Sequence, residues 1–129
     1  MQTVVVVAAF SALTAVMLGA FGAHGLKAVL SVSELNTFEI GVRYQMYHAL
    51  AMLILPALTH VVSQAWLKRV AVAFATGTLL FSGSLYLLVM TGSKWFGPVT
   101  PLGGVAFMIG WIMLVVGAFK NGDMGEHNE

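Results

Sequence analysis

The chain has no cysteine, so disulfides, thiolate nucleophiles and cysteine-ligated metals are excluded. Charge is nearly as scarce. Asp, Glu, Lys and Arg make up 9% of the 129 residues, and the formal net charge is +1. That leaves no basic patch of the kind nucleic-acid binding demands. None of these four residue types falls within residues 3–23, 44–67, 70–93 or 95–119. A proton-coupled carrier therefore lacks its usual intramembrane carboxylate. The first apolar run has no basic leader before it and no A-x-A site after it, so it reads as a span of the mature protein and not as a signal peptide. No internal repeat is visible, and inverted-repeat transporter architecture has no support.

What is present is apolar. Hydrophobic residues make up 59% of the chain and the mean hydropathy is +0.90. Each uncharged run is long enough for a helix to cross the hydrocarbon core, which takes roughly 20 residues. A backbone in lipid must satisfy its own hydrogen bonds, so continuously apolar spans are helices. The expectation is an all-α integral membrane four-helix bundle, one domain over residues 1–129. Its spans fall at about 3–23, 44–62, 70–90 and 101–119. Membrane lipids are the expected partners, with a homo-oligomer or other membrane proteins possible and nucleic acid excluded.

Local signals punctuate the spans. Gly22 and Gly25 read as stops for the first. Ser31 and Glu34 form a capping-box pattern, with Leu35, Phe38 and Val42 at helical spacing after it. This predicts a short amphipathic helix at the interface, or the exposed start of one long helix running into the second span. Pro56 predicts a kink in that span by freeing the carbonyl of Met52. Thr100 before Pro101 reads as an N-cap followed by the first helical residue. Small residues mark packing faces: Ser11, Ala15, Gly19 and Ala23 on the first span, Gly83 on the third, and Gly103, Gly110 and Gly117 on the fourth.

Four spans put both termini on one side. Lys68, Arg69 and Lys120 lie on that side, and Lys27, Arg43 and Lys94 on the other. The count is balanced; the tight Lys68–Arg69 loop favours cytoplasmic termini.

Depth groups the polar residues. His24, Arg43, Tyr44, Gln45, Tyr47, His48, Ser82, Ser84, Tyr86 and Thr100 all fall in the membrane half away from the termini. Polar groups in hydrocarbon face one another to find partners. Three readings stay open. The cluster anchors the headgroup level and bonds across helices. It lines a cavity. Or His24 and His48 ligate a metal or haem, although zinc wants three or four ligands and no haem-attachment motif is present. His60 reads as interfacial and His127 as incidental. Arg43 either snorkels to phosphate, the favoured reading, or pairs with Glu39.

Four motifs stand in order along the chain: Gly19-Ala-Phe-Gly-Ala-His-Gly-Leu26, Tyr44-Gln-Met-Tyr-His-Ala49, Phe81-Ser-Gly-Ser-Leu-Tyr86 and Gly97-Pro-Val-Thr-Pro-Leu-Gly-Gly104. As a set they resemble a family of small bacterial membrane proteins, the domain of unknown function four-two-three, with eukaryotic relatives called transmembrane protein two-five-six. The resemblance covers about residues 3–120. It implies a four-span protein of the bacterial inner membrane, and no reaction, substrate or cofactor. The function expected is non-enzymatic, through contacts with lipid or membrane partners, with no catalytic, cofactor or metal residues. A small oligomeric transporter or channel is the alternative. An enzyme acting on lipid or quinone through His24, His48 and Tyr47 comes third.

Overall fold

The structure, a computed structural model, describes residues 1–126, with side chains described as far as Lys120; His127 lies outside this range. Helix α1 spans Gln2–Phe21 and continues through a π-helical turn, Gly22–Leu26. Helix α2 is Val32–Ile54, followed by a 3-10 turn, Leu55–Leu58. Helix α3 is Gln64–Thr91, and after a short 3-10 turn at Lys94–Phe96, α4 runs Val99–Glu126. Segments Gln2–Leu26, Gln64–Thr91 and Lys94–Lys120 are long and apolar enough to cross a membrane. Val6, Phe10 and Met17 on α1, Leu79 and Met90 on α3, and Ile112 and Phe119 on α4 are all more than half exposed. An outer surface so apolar suits lipid and not water.

Helix α2 departs from the expected layout. No break separates the amphipathic segment from the apolar one, so a single helix runs from Val32 to Ile54. Its start is the capping box: the Glu34 amide donates to Ser31 Oγ at 3.1 Å, and the Ser31 amide to Glu34 Oε1 at 3.3 Å. Pro56 ends this helix instead of kinking it. The carbonyl of Met52 accepts from the Leu55 amide as the chain tightens into the 3-10 turn. Helix α4 begins at Val99, so Thr100 sits inside the first turn and is not the N-cap. The α-helical part of α1 ends before Gly22, its C-cap, yet neither Gly22 nor Gly25 turns the chain left-handed. The chain winds on through them as the π-helical turn, and Gly22 makes room for Phe38, whose Cε1 would lie 3.0 Å from an added Cβ. The glycine that does turn left-handed is Gly92. At φ +68 it caps α3, its amide donating to the carbonyl of Leu88.

The helices pack as neighbours in chain order: α1 on α2, α2 on α3, and α3 most extensively on α4. Helix α1 has no more than marginal backbone contact with α3 and α4, so a groove remains between α1 and α3, floored by α2. The predicted glycine stripe builds the α3–α4 seam. A Cβ on Gly103 would land on the backbone of Phe81, one on Gly110 on the Phe74 ring, and one on Gly117 on the Trp66 ring. In return, the Phe107 ring covers Gly77. The Trp66 indole N–H donates to the carbonyl of Met113, and Lys120 Nζ lies 4.9 Å from the Trp66 ring centroid. Gly19 packs as expected, 3.3 Å separating an added Cβ from Val42 Cγ1. Gly83 does not: a Cβ there would meet nothing within 4 Å, because this glycine faces the groove.

These contacts make opposite predictions for two glycines on α3 and α4. Gly103→Ala pushes against backbone that cannot yield, and overpacking of this kind costs about 1–3 kcal/mol. Gly83→Ala enters open space and gains helix propensity, about 0.8–1 kcal/mol. Melting of the two variants in detergent should move in opposite directions from the parent; a Gly103→Ala protein as stable as the parent overturns the close seam.

Candidate functional site

The polar residues grouped by the sequence do not form one cluster. They divide into separate hydrogen-bonded sets, each tying particular helices together.

The first set centres on Gln45, which is 6% exposed. Its Nε2 donates to the carbonyl of Ser11 at 2.8 Å and to Thr14 Oγ1 at 2.7 Å. Its Oε1 accepts from the Tyr86 hydroxyl at 2.7 Å. Thr14 in turn donates to the Ser11 carbonyl at 2.9 Å. Both donors of the amide and one lone pair of its oxygen are thereby used. One side chain of α2 is bonded to α1 on one side and α3 on the other. Beside it the hydroxyl of Ser82, a fully buried residue, donates to the carbonyl of Gly41 at 2.6 Å. The Tyr86 ring lies over Gly41, 2.8 Å from where a Cβ would stand, and tilts against Phe38.

This set is deeper than its sequence position suggests. Ser11 and Thr14 stand halfway along the 25-residue apolar segment Gln2–Leu26. The set also separates two apolar clusters: Leu26, Phe38 and Val89 on one side, and on the other the larger group including Ala8, Met52, Leu55, Val70 and Phe74. Phe38, Gln45 and Met52 follow at intervals of seven on α2, so one face carries apolar, polar and apolar layers in turn.

The second set surrounds His48, which is 4% exposed. The Trp111 indole N–H donates to His48 Nε2 at 3.1 Å, so Nε2 must present its lone pair. The proton then sits on Nδ1, which donates to the carbonyl of Tyr44 at 2.8 Å. The ring stacks on Phe107 with centroids 3.6 Å apart and planes 9° apart, and Phe74 meets it edge-on. Tyr44 packs on Phe81 at 4.7 Å. Helices α2, α3 and α4 therefore meet on an aromatic box with one imidazole inside it.

The third set is a pair. Ser84 Oγ donates to the carbonyl of Phe81 at 2.8 Å and stands 2.6 Å from Thr100 Oγ1, joining α3 to the first turn of α4.

Three predicted members belong to none of these. His24 is exposed on the π-helical turn, Tyr47 is 56% exposed, and Arg43 is exposed and paired with Glu39 at 3.5 Å. That pair is the second of the two readings of Arg43 and is worth about 0.3–0.5 kcal/mol at the surface. The paired-histidine ligand set is not assembled. Both nitrogens of His48 are engaged, and His24 shares no hydrogen bond with it. Among the described residues no three His, Asp or Glu side chains gather where a metal could bind. Three participants were missed: Ser11, Thr14 and Trp111. Ser11 and Thr14 carry a signal, being hydroxyls three residues apart deep in an otherwise aliphatic run. Trp111 carries none, since a tryptophan in a span ordinarily faces lipid.

Among the described residues every buried side-chain nitrogen and oxygen has a partner. The sets hold helices together, and Ser11, Thr14, Gln45 and Tyr86 of the first also border a cavity of about 340 Å³ between α1 and α3. Tyr86→Phe strips Gln45 Oε1 of its donor and should cost about 1–2 kcal/mol. Gln45→Leu should cost more, since it cuts bonds to both α1 and α3. In a double-mutant cycle the two changes should couple by about 0.5–2 kcal/mol. Strict additivity overturns the direct bond between them.

Comparison with known proteins places the family. The family model described as protein of unknown function DUF423 matches residues 18–104. A UPF0382 membrane protein of Staphylococcus aureus is 45% identical over 125 residues, covering 93% of this chain and 98% of its own. The UPF0382 membrane protein YwdK of Bacillus subtilis is 45% identical over 127 residues, covering 93% and 98%. The UPF0382 inner membrane protein YgdD of Escherichia coli is 41% identical over 113 residues, covering 88% and 86%. No solved structure matches. All four motifs lie inside the matched region, and the chain belongs to the DUF423 family of membrane proteins.

Proposed function

We propose that the chain is a four-span, non-enzymatic component of the bacterial inner membrane, acting through lateral contacts with lipid or membrane partners and with both termini in the cytoplasm. The observation that carries this reading is the division of labour between inside and outside. Among the described residues every buried polar side-chain atom has a partner, while the outer surface is broadly apolar and carries an open groove. Acid–base chemistry on a substrate needs a polar group with free valence facing a cavity. The sets around Gln45 and His48 spend theirs on helix contacts. The name of the Escherichia coli relative, an inner membrane protein, supports the location. The tight Lys68–Arg69 loop supports the orientation, and Arg69 and Lys120 gather on Trp66 there.

A strain lacking the gene tests the reading. Membrane permeability or envelope-stress tolerance should change on deletion and return with the parent gene. His24→Ala and Tyr47→Phe, which remove the exposed acid–base groups, should restore it fully at equal protein level. Loss of rescue by either variant points to chemistry and overturns the proposal, as does a deletion with no envelope effect. A fluorescent-protein fusion after Glu129 should fluoresce; an alkaline phosphatase fusion there that is active instead reverses the orientation.

A further inference from the structure

The groove between α1 and α3 holds two cavities. One, of about 350 Å³, is lined by Thr3, Val4, Val7, Lys68, Ala71 and Val72 among others. The next, of about 340 Å³, is lined by Phe10, Thr14, Gln45, Thr78, Leu79 and Gly83 among others. Val7, Met52 and Ala75 border both, so the two are stretches of one trough. On α3 its wall is the ridge Ala71, Ala75, Leu79 and Gly83, at intervals of four. Small residues at three of these four positions leave the hollow. The trough is mostly apolar, with Thr14, Gln45 and Thr78 partway along it, and its charge gathers at the end near the termini, where Lys68 and Met1, with its terminal amino group, both border it. Among the described residues Lys68 has no carboxylate partner, and no acid lines either cavity.

We propose that this trough binds one acyl chain of an anionic phospholipid, drawn from the leaflet on the side of the termini, with the headgroup phosphate on Lys68. The proposal rests on the lipid-contact reading above and names its ligand. Three features select this occupant. The rim charge is positive and the lining beneath it uncharged, which matches an anionic headgroup above a hydrocarbon tail. From Lys68 to Gly83 the ridge rises about 22 Å at 1.5 Å per residue, short of a 30 Å hydrocarbon core. One tail extended from a headgroup at Lys68 spans that length. A helix, about 10–12 Å across, does not enter hollows of this volume, whereas an unbranched hydrocarbon chain does.

The test uses the full chain in nanodiscs of equal phosphatidylglycerol and phosphatidylcholine, followed by native mass spectrometry of lipid that stays bound. The parent protein should retain phosphatidylglycerol in preference to phosphatidylcholine. Lys68→Gln should lower that retention about fivefold, the factor corresponding to one basic residue at a membrane surface. Lys94→Gln, at the opposite end, should leave it unchanged. Gly83→Leu and Ala75→Phe fill the trough and should reduce retention of both lipids. Gly83→Leu adds its side chain where a Cβ meets nothing, so its helix content, followed by circular dichroism, should match the parent. Equal retention of the two lipids by the parent overturns the proposal, as does a Lys68→Gln protein indistinguishable from it. So does a parent that carries no lipid and is dimeric by light scattering, with Gly83→Leu monomeric; that result assigns the trough to a second copy. Because the readout is binding by isolated protein, its failure leaves the non-enzymatic reading to the deletion strain.

Discussion

Hydrocarbon offers no water to an unsatisfied amide, and the architecture depends on how that constraint is met at Gln45. A primary amide has two donors and an acceptor, more valence than any other side chain in the core. In lipid such a group is costly alone and useful when saturated. Here its donors go to α1 and its acceptor to α3, so the otherwise weak attachment of α1 has a directional anchor. The neighbouring bond from Ser82 to the Gly41 carbonyl follows from the same geometry. Gly41 lets the Tyr86 ring close over α2, and closeness brings a hydroxyl within reach of a helical carbonyl.

The seam between α3 and α4 is built on a different principle. Lipid tails are as apolar as leucine, so no hydrophobic force pulls two spans together; close packing must do it. Three glycines at intervals of seven receive the Phe81 backbone and the rings of Phe74 and Trp66, and Phe107 enters the gap at Gly77. Between the directional contacts of α1 and the dry contacts of α4 lies His48. It belongs to both kinds, stacked on Phe107 and bonded to Trp111.

Much of this was legible in the chain. Continuous apolar runs gave helices, and Ser31 with Glu34 gave the start of α2 to the residue, because a capping box is a local arrangement that needs no tertiary partner. The spacing of Gly103, Gly110 and Gly117 gave a packing face on α4, though not the helix that fills it, for a similar reason: period and residue size both act within one helix. The polar constellation was only partly legible. Sequence depth gathers Gln45, His48, Ser82, Ser84 and Tyr86 in one membrane half, but it carries no rotation about the helix axis. Ser82 faces α2 and Ser84 faces α4; two residues apart is about 200° of helix, so the chain turns them away from each other but does not say which neighbour each meets. Gly83, between them, points into a groove for the same reason. Pro56 shows another limit. Its missing amide predicts a disturbed helix, and whether the helix bends or ends depends on the turn that follows.

The Gln45 hub also acts as an index mark for α1. That helix is apolar nearly all the way round, and beyond the notches that Gly19 offers Val42 and Gly22 offers Phe38 little on its surface fixes its register. A shift of one position along its sequence rotates every side chain by about 100°. The aliphatic surface barely registers such a slip. Ser11 and Thr14 do, because they leave Gln45 with two donors and nothing to receive them. One amide thus sets both the height and the azimuth of a helix whose greasy surface specifies little of either, and it holds one wall of the trough opposite the other.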